Sequence, residues 1–295
     1  MKSFLRNGLL GAALLFAAPA HAEGQRIVSV GGSTTEIVYA LGAGDMLVGV
    51  DSTSIYPREA DALPDVGYVR QLAAEGLLSL RPDLILAGSE AGPASALEQA
   101  AQAGVEIVKL KDGFAPADVY AHIETVGTAL SRQAEAAALI DTLKRDMEAV
   151  LGEVETLDRH PRVLFLLQAG RGPMLVSGKN TAVDAAIKLA GGVNAVSAFE
   201  GFRPFSPEAA AEAEPDYILL TEQTVEALGG KEKVLADPAL ILTPAARAGR
   251  LVTMDALYLA GFGPRLAHAI RDLAAQIHPE HTFVPLPERE WTKAQ

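Results

Sequence analysis

A tyrosine and an arginine two residues apart, in a loop ahead of a short helix, are the sharpest chemical feature of the sequence. The stretch reads Pro64-Asp-Val-Gly67-Tyr68-Val-Arg70-Gln-Leu-Ala-Ala-Glu75. A phenolate is a hard anionic oxygen donor, suited to a ferric ion. A guanidinium so near either favours the charged form of the phenol or pairs with a carboxylate on a ligand. The plain alternative is a half-buried loop aromatic beside a surface charge. The residues alone leave both readings open.

Other chemistry is sparse. His122, His160, His268, His278 and His281 show no zinc spacing, and no nucleophile elbow or Walker loop is present. Cysteine is absent, which excludes disulfides, thiolate metal sites and a cysteine nucleophile. Gly31-Gly32-Ser33, directly after a strand, has the makings of an anion cradle at a helix N-terminus, but it departs from both nucleotide fingerprints. Gly261-Phe-Gly263-Pro-Arg265 reads as a turn entering the last helix. No acid, base and nucleophile are grouped, so the expectation is a protein that is not an enzyme.

The elements that must position the Tyr68 loop follow from periodicity. Short β-branched runs at Arg26–Val30, Leu47–Val50, Leu84–Ala87 and Val105–Leu110 alternate with helix-length segments. That spacing needs crossover connections and predicts an α/β fold with a parallel sheet covered on both faces. The same grammar restarts after residue 160, with strands at Arg162–Gln168, Tyr217–Thr221 and Leu251–Thr253. Glu75-Gly-Leu-Leu-Ser-Leu-Arg81-Pro82-Asp83 aligns with Glu208-Ala-Ala-Ala-Glu-Ala-Glu214-Pro215-Asp216 at identical spacing. The repetition predicts two similar Rossmann-like lobes with a ligand cleft between them. A helical pattern from Arg132 to Leu157, capped by Ser131 and about 39 Å long at 1.5 Å per residue, is expected to join them. The expected parts are a leader over 1–22, an N-terminal lobe over 23–130, the connecting helix over 131–159 and a C-terminal lobe over 160–295. The Ser and Thr residues after Gly32 are expected to cap the first helix.

Residues 1–22 carry Lys2 and Arg6, then an apolar run, then Ala20-His21-Ala22. This is the pattern of a secretory signal peptide cut after Ala22, with an apolar run too short to serve comfortably as a membrane anchor. Losing Lys2 and Arg6 takes the formal charge from −12 to −14. So acidic a surface repels phosphate backbones, which argues against a nucleic-acid partner. An exported chain without cysteine suits a bacterial periplasm.

With these features in view, the sequence resembles the haem-binding periplasmic proteins of bacterial haem ABC importers. The resemblance spans essentially the whole mature chain. It rests on Gly67-Tyr68-Val-Arg70 and Leu-Ala-Ala-Glu75-Gly-Leu-Leu-Ser-Leu, on Gly172-Pro173-Met174 with Ser177-Gly178-Lys179-Asn180-Thr181, and on Pro204-Phe-Ser206-Pro-Glu208. Thr243-Pro244-Ala245 and Phe262-Gly263-Pro264-Arg265 extend it. It implies that Tyr68 is the axial ligand of Fe(III) in a transported haem b, with Arg70 beside the iron site or a propionate. Some relatives carry a histidine in the loop after the first strand of the second lobe. Here that loop is Gln168-Ala-Gly170-Arg171-Gly172, without histidine, which argues against His/Tyr ligation and a stacked haem pair. Arg171 and Arg203 become candidate propionate partners, with solvated surface charge as the alternative for each. The resemblance also implies that Glu75 and Glu208 dock onto the arginines of a two-fold ABC permease, and that the carrier acts as a monomer without membrane insertion. The wider superfamily holds cobalamin and ferric-siderophore carriers, in which Tyr68 would merely line the cleft. An exported enzyme is the reading from another class.

Overall fold

The computed structural model describes residues 25–168 and 174–293, apart from the side chains of 209–211. Strands β1 (Ile27–Val30), β2 (Leu47–Val50), β3 (Leu84–Ala87) and β4 (Glu106–Lys109) form the first sheet. Their order is β2-β1-β3-β4, with every neighbour parallel. Helices α1 (Gly32–Ala40), α2 (Arg58–Asp61), α3 (Ala74–Ser79), α4 (Ala94–Gln102) and α5 (Pro116–Ala129) complete this lobe, and α6 (Gln133–Val154) leads to the second. There β5 (Arg162–Leu167), β9 (Tyr217–Thr221) and β10 (Leu251–Met254) are parallel neighbours. An edge that the sequence pattern did not mark adds β6 (Leu175–Ser177) and β8 (Phe202–Pro204), both antiparallel, while β7 (Val193–Asn194) pairs with the start of β5. Around this sheet lie α7 (Ala182–Leu189), α8 (Pro207–Ala213), α9 (Glu222–Ala227), α10 (Lys231–Leu235), α11 (Pro244–Arg247), α12 (Ala256–Ala260) and α13 (Leu266–Ile277).

Strands buried on both faces need apolar residues at every position, and the period of two decides which core each one joins. Ile27, Leu84 and Leu86 face a core that runs without a break through α5 and α6 to Val163, Phe165 and Leu219 of the second sheet. Val28, Val30, Ile85 and Ala87 face a separate outer core with Val66, Val69, Leu72 and Leu77. Leu164, Leu166, Ile218 and Leu220 do the same for the second lobe. The lobes are thus fused through one shared core, and α6, about 33 Å long, packs on α5 from one lobe and α13 from the other.

The internal repeat has a structural counterpart. Arg81 and Glu214, each directly before a proline, both adopt left-handed backbone, with φ of 48° and 41°. The following aspartates then fasten the first strand of their lobe. Asp83 accepts from the Arg26 N–H at 2.8 Å, and Asp216 accepts from the Arg162 N–H at 2.9 Å. Two capping expectations fail. Ser131 lies in left-handed backbone at φ 55°, closing α5, and the Arg132 N–H bonds back to the Gly127 carbonyl at 2.7 Å. Such a Schellman closure consumes the residue as a stop and leaves no side chain for α6. Before α1 stands Gly31 at φ 106°, a conformation that requires glycine, and Thr35 turns inward to Ser29 and Ser54 at 2.8 and 2.7 Å.

Candidate functional site

In a doubly wound sheet the crevice lies outside the carboxyl ends of the parallel strands. The chain leaves β2 there and passes through α2 (Arg58–Asp61). The Tyr68 loop then returns beside the last residue of β2 in a parallel bridge, with the Val50 N–H bonding the Pro64 carbonyl and the Val66 N–H bonding the Val50 carbonyl, at 3.0 and 2.9 Å. Gly67, at φ 105°, then turns the chain, and the Asp65 carboxylate accepts its N–H at 2.7 Å. Val66, Val69 and Leu72 are buried in the outer core while Tyr68 and Arg70 point away from it. Reciprocal bonds, Leu72 N–H to the Gly92 carbonyl and Gly92 N–H to the Val69 carbonyl, both 2.9 Å, tie the loop to the one after β3.

The result is a rigid backbone presenting an accessible phenol. Tyr68 is 44% exposed, so part of its ring faces solvent. Among the described residues nothing hydrogen-bonds its hydroxyl. Arg70 makes a single-point ion pair with Glu90 on the neighbouring loop, Nη2 to Oε2 at 2.6 Å, with the two side chains 62% and 44% exposed. Glu90 had no role in the sequence reading. The signal that would have found it is its place three residues past the end of β3, at the same carboxyl end of the sheet as Tyr68.

In the second lobe the described sequence candidate for ligand contact is Arg203. It lies on β8 opposite Val176, one register step from the Leu175–Pro204 pair that sits level with Leu167 at the end of β5. That places it near the carboxyl end of the sheet. Its guanidinium stacks 4.6 Å above the Phe199 ring, and no ion pair or hydrogen bond among the described residues joins it to Tyr68 or Arg70. Arg171, with the rest of 169–173, lies outside the described residues, as does the expected leader. Glu75 and Glu208 are each the second residue of their helix, α3 and α8, and both are exposed. Both helices start from the cleft end of their sheets, so the two carboxylates stand at matching places, one per lobe.

Two glycine-containing motifs turn out to join the lobes. Gly32 has no room for an anion: a Cβ there would lie 2.6 Å from Leu257 of α12 and 2.7 Å from the Thr53 carbonyl. The cradle at the start of α1 is filled by the other lobe. Arg265, read from sequence as part of a turn, forms a bidentate pair with Glu36 of α1 at 2.9 and 2.6 Å, the side chains 12% and 4% exposed. Tyr56 and Tyr258 flank its guanidinium, with centroids 3.7 and 5.1 Å away. Burial pushes the Glu36 carboxyl up from its ordinary value, against the pull of Arg265. A pocket of about 540 Å³ opens beside this bridge, lined by Ile55, Tyr56, Asp255, Tyr258 and Arg265. Neither Tyr68 nor Arg70 lines it, and its arginine is already paired with Glu36, so the exposed phenol remains the stronger candidate.

Two fused α/β lobes with a site on the loops at the strand ends define a two-lobed ligand-binding protein. The chain belongs to the periplasmic binding protein family, whose model matches residues 27–258. The solved structure of the periplasmic haem-binding protein BhuT in complex with two haems is 41% identical, with a TM-score of 0.83 over 87% of this chain and 98% of that one. Among curated relatives, an uncharacterized ABC transporter substrate-binding lipoprotein of Bacillus subtilis, YvrC, is 28% identical over 88% of this chain and 81% of that protein. The vitamin B12-binding protein of Pectobacterium atrosepticum is 29% identical over 90% of this chain and 92% of its own length.

Proposed function

We propose that this protein captures ferric haem b in the cleft between its lobes and hands it to an ABC permease. The observation that carries the reading is the Tyr68 phenol: exposed at the strand ends, without a hydrogen-bond partner among the described residues, and held on a rigid loop with a cation two residues on. A hard oxygen donor so placed matches the preference of Fe(III). Similarity to a haem-binding relative at 41% identity points the same way. Tyr68 is the axial ligand, Arg70 serves the iron site or a propionate, and Arg203 and Arg171 serve propionates from the other lobe. The protein is a carrier rather than a catalyst, exported to the periplasm by a signal peptide cut after Ala22, and monomeric. Glu75 and Glu208 are its docking points on a two-fold permease, and charge pairs of that kind set orientation and on-rate.

The test is a titration with haemin followed by absorption. Wild type gives a high-spin, five-coordinate ferric spectrum, and Tyr68→Phe changes that spectrum and weakens binding. An identical spectrum in Tyr68→Phe rejects the ligand assignment. The likeness to a B12-binding protein supports a second reading, a cobalamin carrier in which Tyr68 only lines the cleft. Tight binding of cyanocobalamin with no response to haemin would select it.

A further inference from the structure

Resting on the haem reading, we infer that Glu90 moderates the site's hold on acidic ligands, competing with the carboxylates of the ligand for Arg70. The Arg70–Glu90 pair is not needed to hold its two loops together. The reciprocal Leu72–Gly92 and Gly92–Val69 backbone bonds do that, together with the buried Val69, Leu72 and Ala91. The pair is also weak as a source of stability, because both side chains are largely solvated and meet through one nitrogen and one oxygen. Such a pair is cheap to break, and a guanidinium has five donors, so Arg70 is available to a bidentate carboxylate partner.

Glu90 nevertheless shapes what Arg70 will accept. Its carboxylate neutralises Arg70 towards neutral ligands and repels anions that arrive at the same place. A ligand therefore gains Arg70 only by bringing a carboxylate well enough placed to replace Glu90. Haem, held by iron to Tyr68 and carrying two propionates, meets that condition. A metal complex without carboxylates near its metal does not. In this arrangement Tyr68 reads the metal and Arg70 reads the acid groups at the edge of the macrocycle, while Glu90 holds that second contact below its full strength.

The experiment compares haemin with haemin dimethyl ester, which keeps the iron and loses both carboxylates, on wild type, Glu90→Gln and the double variant Arg70→Ala/Glu90→Gln. Glu90→Gln keeps the side chain's shape and removes its charge. It should bind haemin about three- to tenfold more tightly, the effect of one like charge near a partly solvated site. Its affinity for the diester should change less than twofold, its ferric spectrum should match wild type, and the gain should vanish in the double variant. Equal gains for haemin and diester, a gain that survives loss of Arg70, or no gain at all would each overturn the role of Glu90. Failure of wild type to bind haemin is a separate outcome, which rejects the haem reading itself.

Discussion

Removing Arg265 alone should cost far more than removing it together with Glu36. The two groups face each other across the lobe junction with both carboxylate oxygens satisfied and almost no water access. In Arg265→Met the Glu36 charge stays buried without its partner, which costs about 3–5 kcal/mol. For a chain of this size that is a fall in Tm of about 6–20 °C. In the double variant Glu36→Met/Arg265→Met both charges leave, and exchanging a buried pair for apolar groups of similar volume is often neutral or stabilising. Most of the lost stability should therefore return.

Acid should also relieve the single variant. Burial already holds the Glu36 carboxyl above its ordinary value of 4.5, and loss of Arg265 removes the opposing pull. Above pH 4.5 the folded variant then binds a proton that the unfolded chain has released, so its stability falls as pH rises through that window and recovers on acidification. Thermal unfolding of wild type, single and double variants at pH 7 and pH 4.5 checks both points. The gap between wild type and Arg265→Met should narrow at the lower pH. Two results would refute the reasoning. A single variant within about 1 kcal/mol of wild type would mean no charge is stranded. A double variant as unstable as the single would move the cost to Arg265's stacking between Tyr56 and Tyr258.

Three further outcomes follow from particular contacts. His278 is fully buried, with Nε2 3.2 Å from the Ala190 carbonyl, and burial lowers its pKa below 6.5; the unfolded chain therefore takes up a proton first, stability drops as pH falls below 6.5, and His278→Gln should flatten that part of a urea-midpoint profile. Asp83→Ala and Asp216→Ala each leave a strand-leading N–H without its carboxylate and should each lower stability by about 1–3 kcal/mol, summing in the double variant because the sites are in different lobes. Glu75→Ala/Glu208→Ala should reduce uptake and permease complex formation while leaving haemin affinity unchanged, and the wild-type complex should weaken with rising salt; normal uptake by the double variant would end the docking role.

The legibility of this chain divides along sequence separation. Strands such as Leu84–Ala87 and Tyr217–Thr221 coincide with the expected runs because doubly covered parallel strands are continuously apolar and bounded by turn residues. The Tyr68 loop was legible for a local reason too: Tyr68, Arg70 and the helix-opening Glu75 lie within eight residues of one another. The Glu36–Arg265 bridge was not, since 229 residues separate its partners and neither neighbourhood hints at the other. Glu90 fell between the two. Its strand was found, but its contact with Arg70 depends on which strands are adjacent, and the order β2-β1-β3 is a fact of the whole sheet. Ser131 misled because a serine before an apolar run suits both a cap and a stop, and only the backbone angle separates them.

The duplicated Pro-Asp turn gives the proposed docking pair its symmetry while leaving the proposed ligand site free to differ between the lobes. In each lobe the left-handed residue, the proline and the strand-fastening aspartate set where the preceding helix must end relative to the sheet. Counting back seven residues from either proline then brings Glu75 and Glu208 to the same height, whatever lies beyond them. Beyond them the lobes differ completely. The first lobe approaches α3 through the Tyr68 loop, locked to its sheet by buried valines and a leucine. The second approaches α8 through the antiparallel edge of β6 and β8, with Arg203 stacked on Phe199. On the proposed docking role, the surface that meets a two-fold partner is the one built from the repeated turn. The proposed ligand site lies on the segments ahead of it, which differ between the lobes.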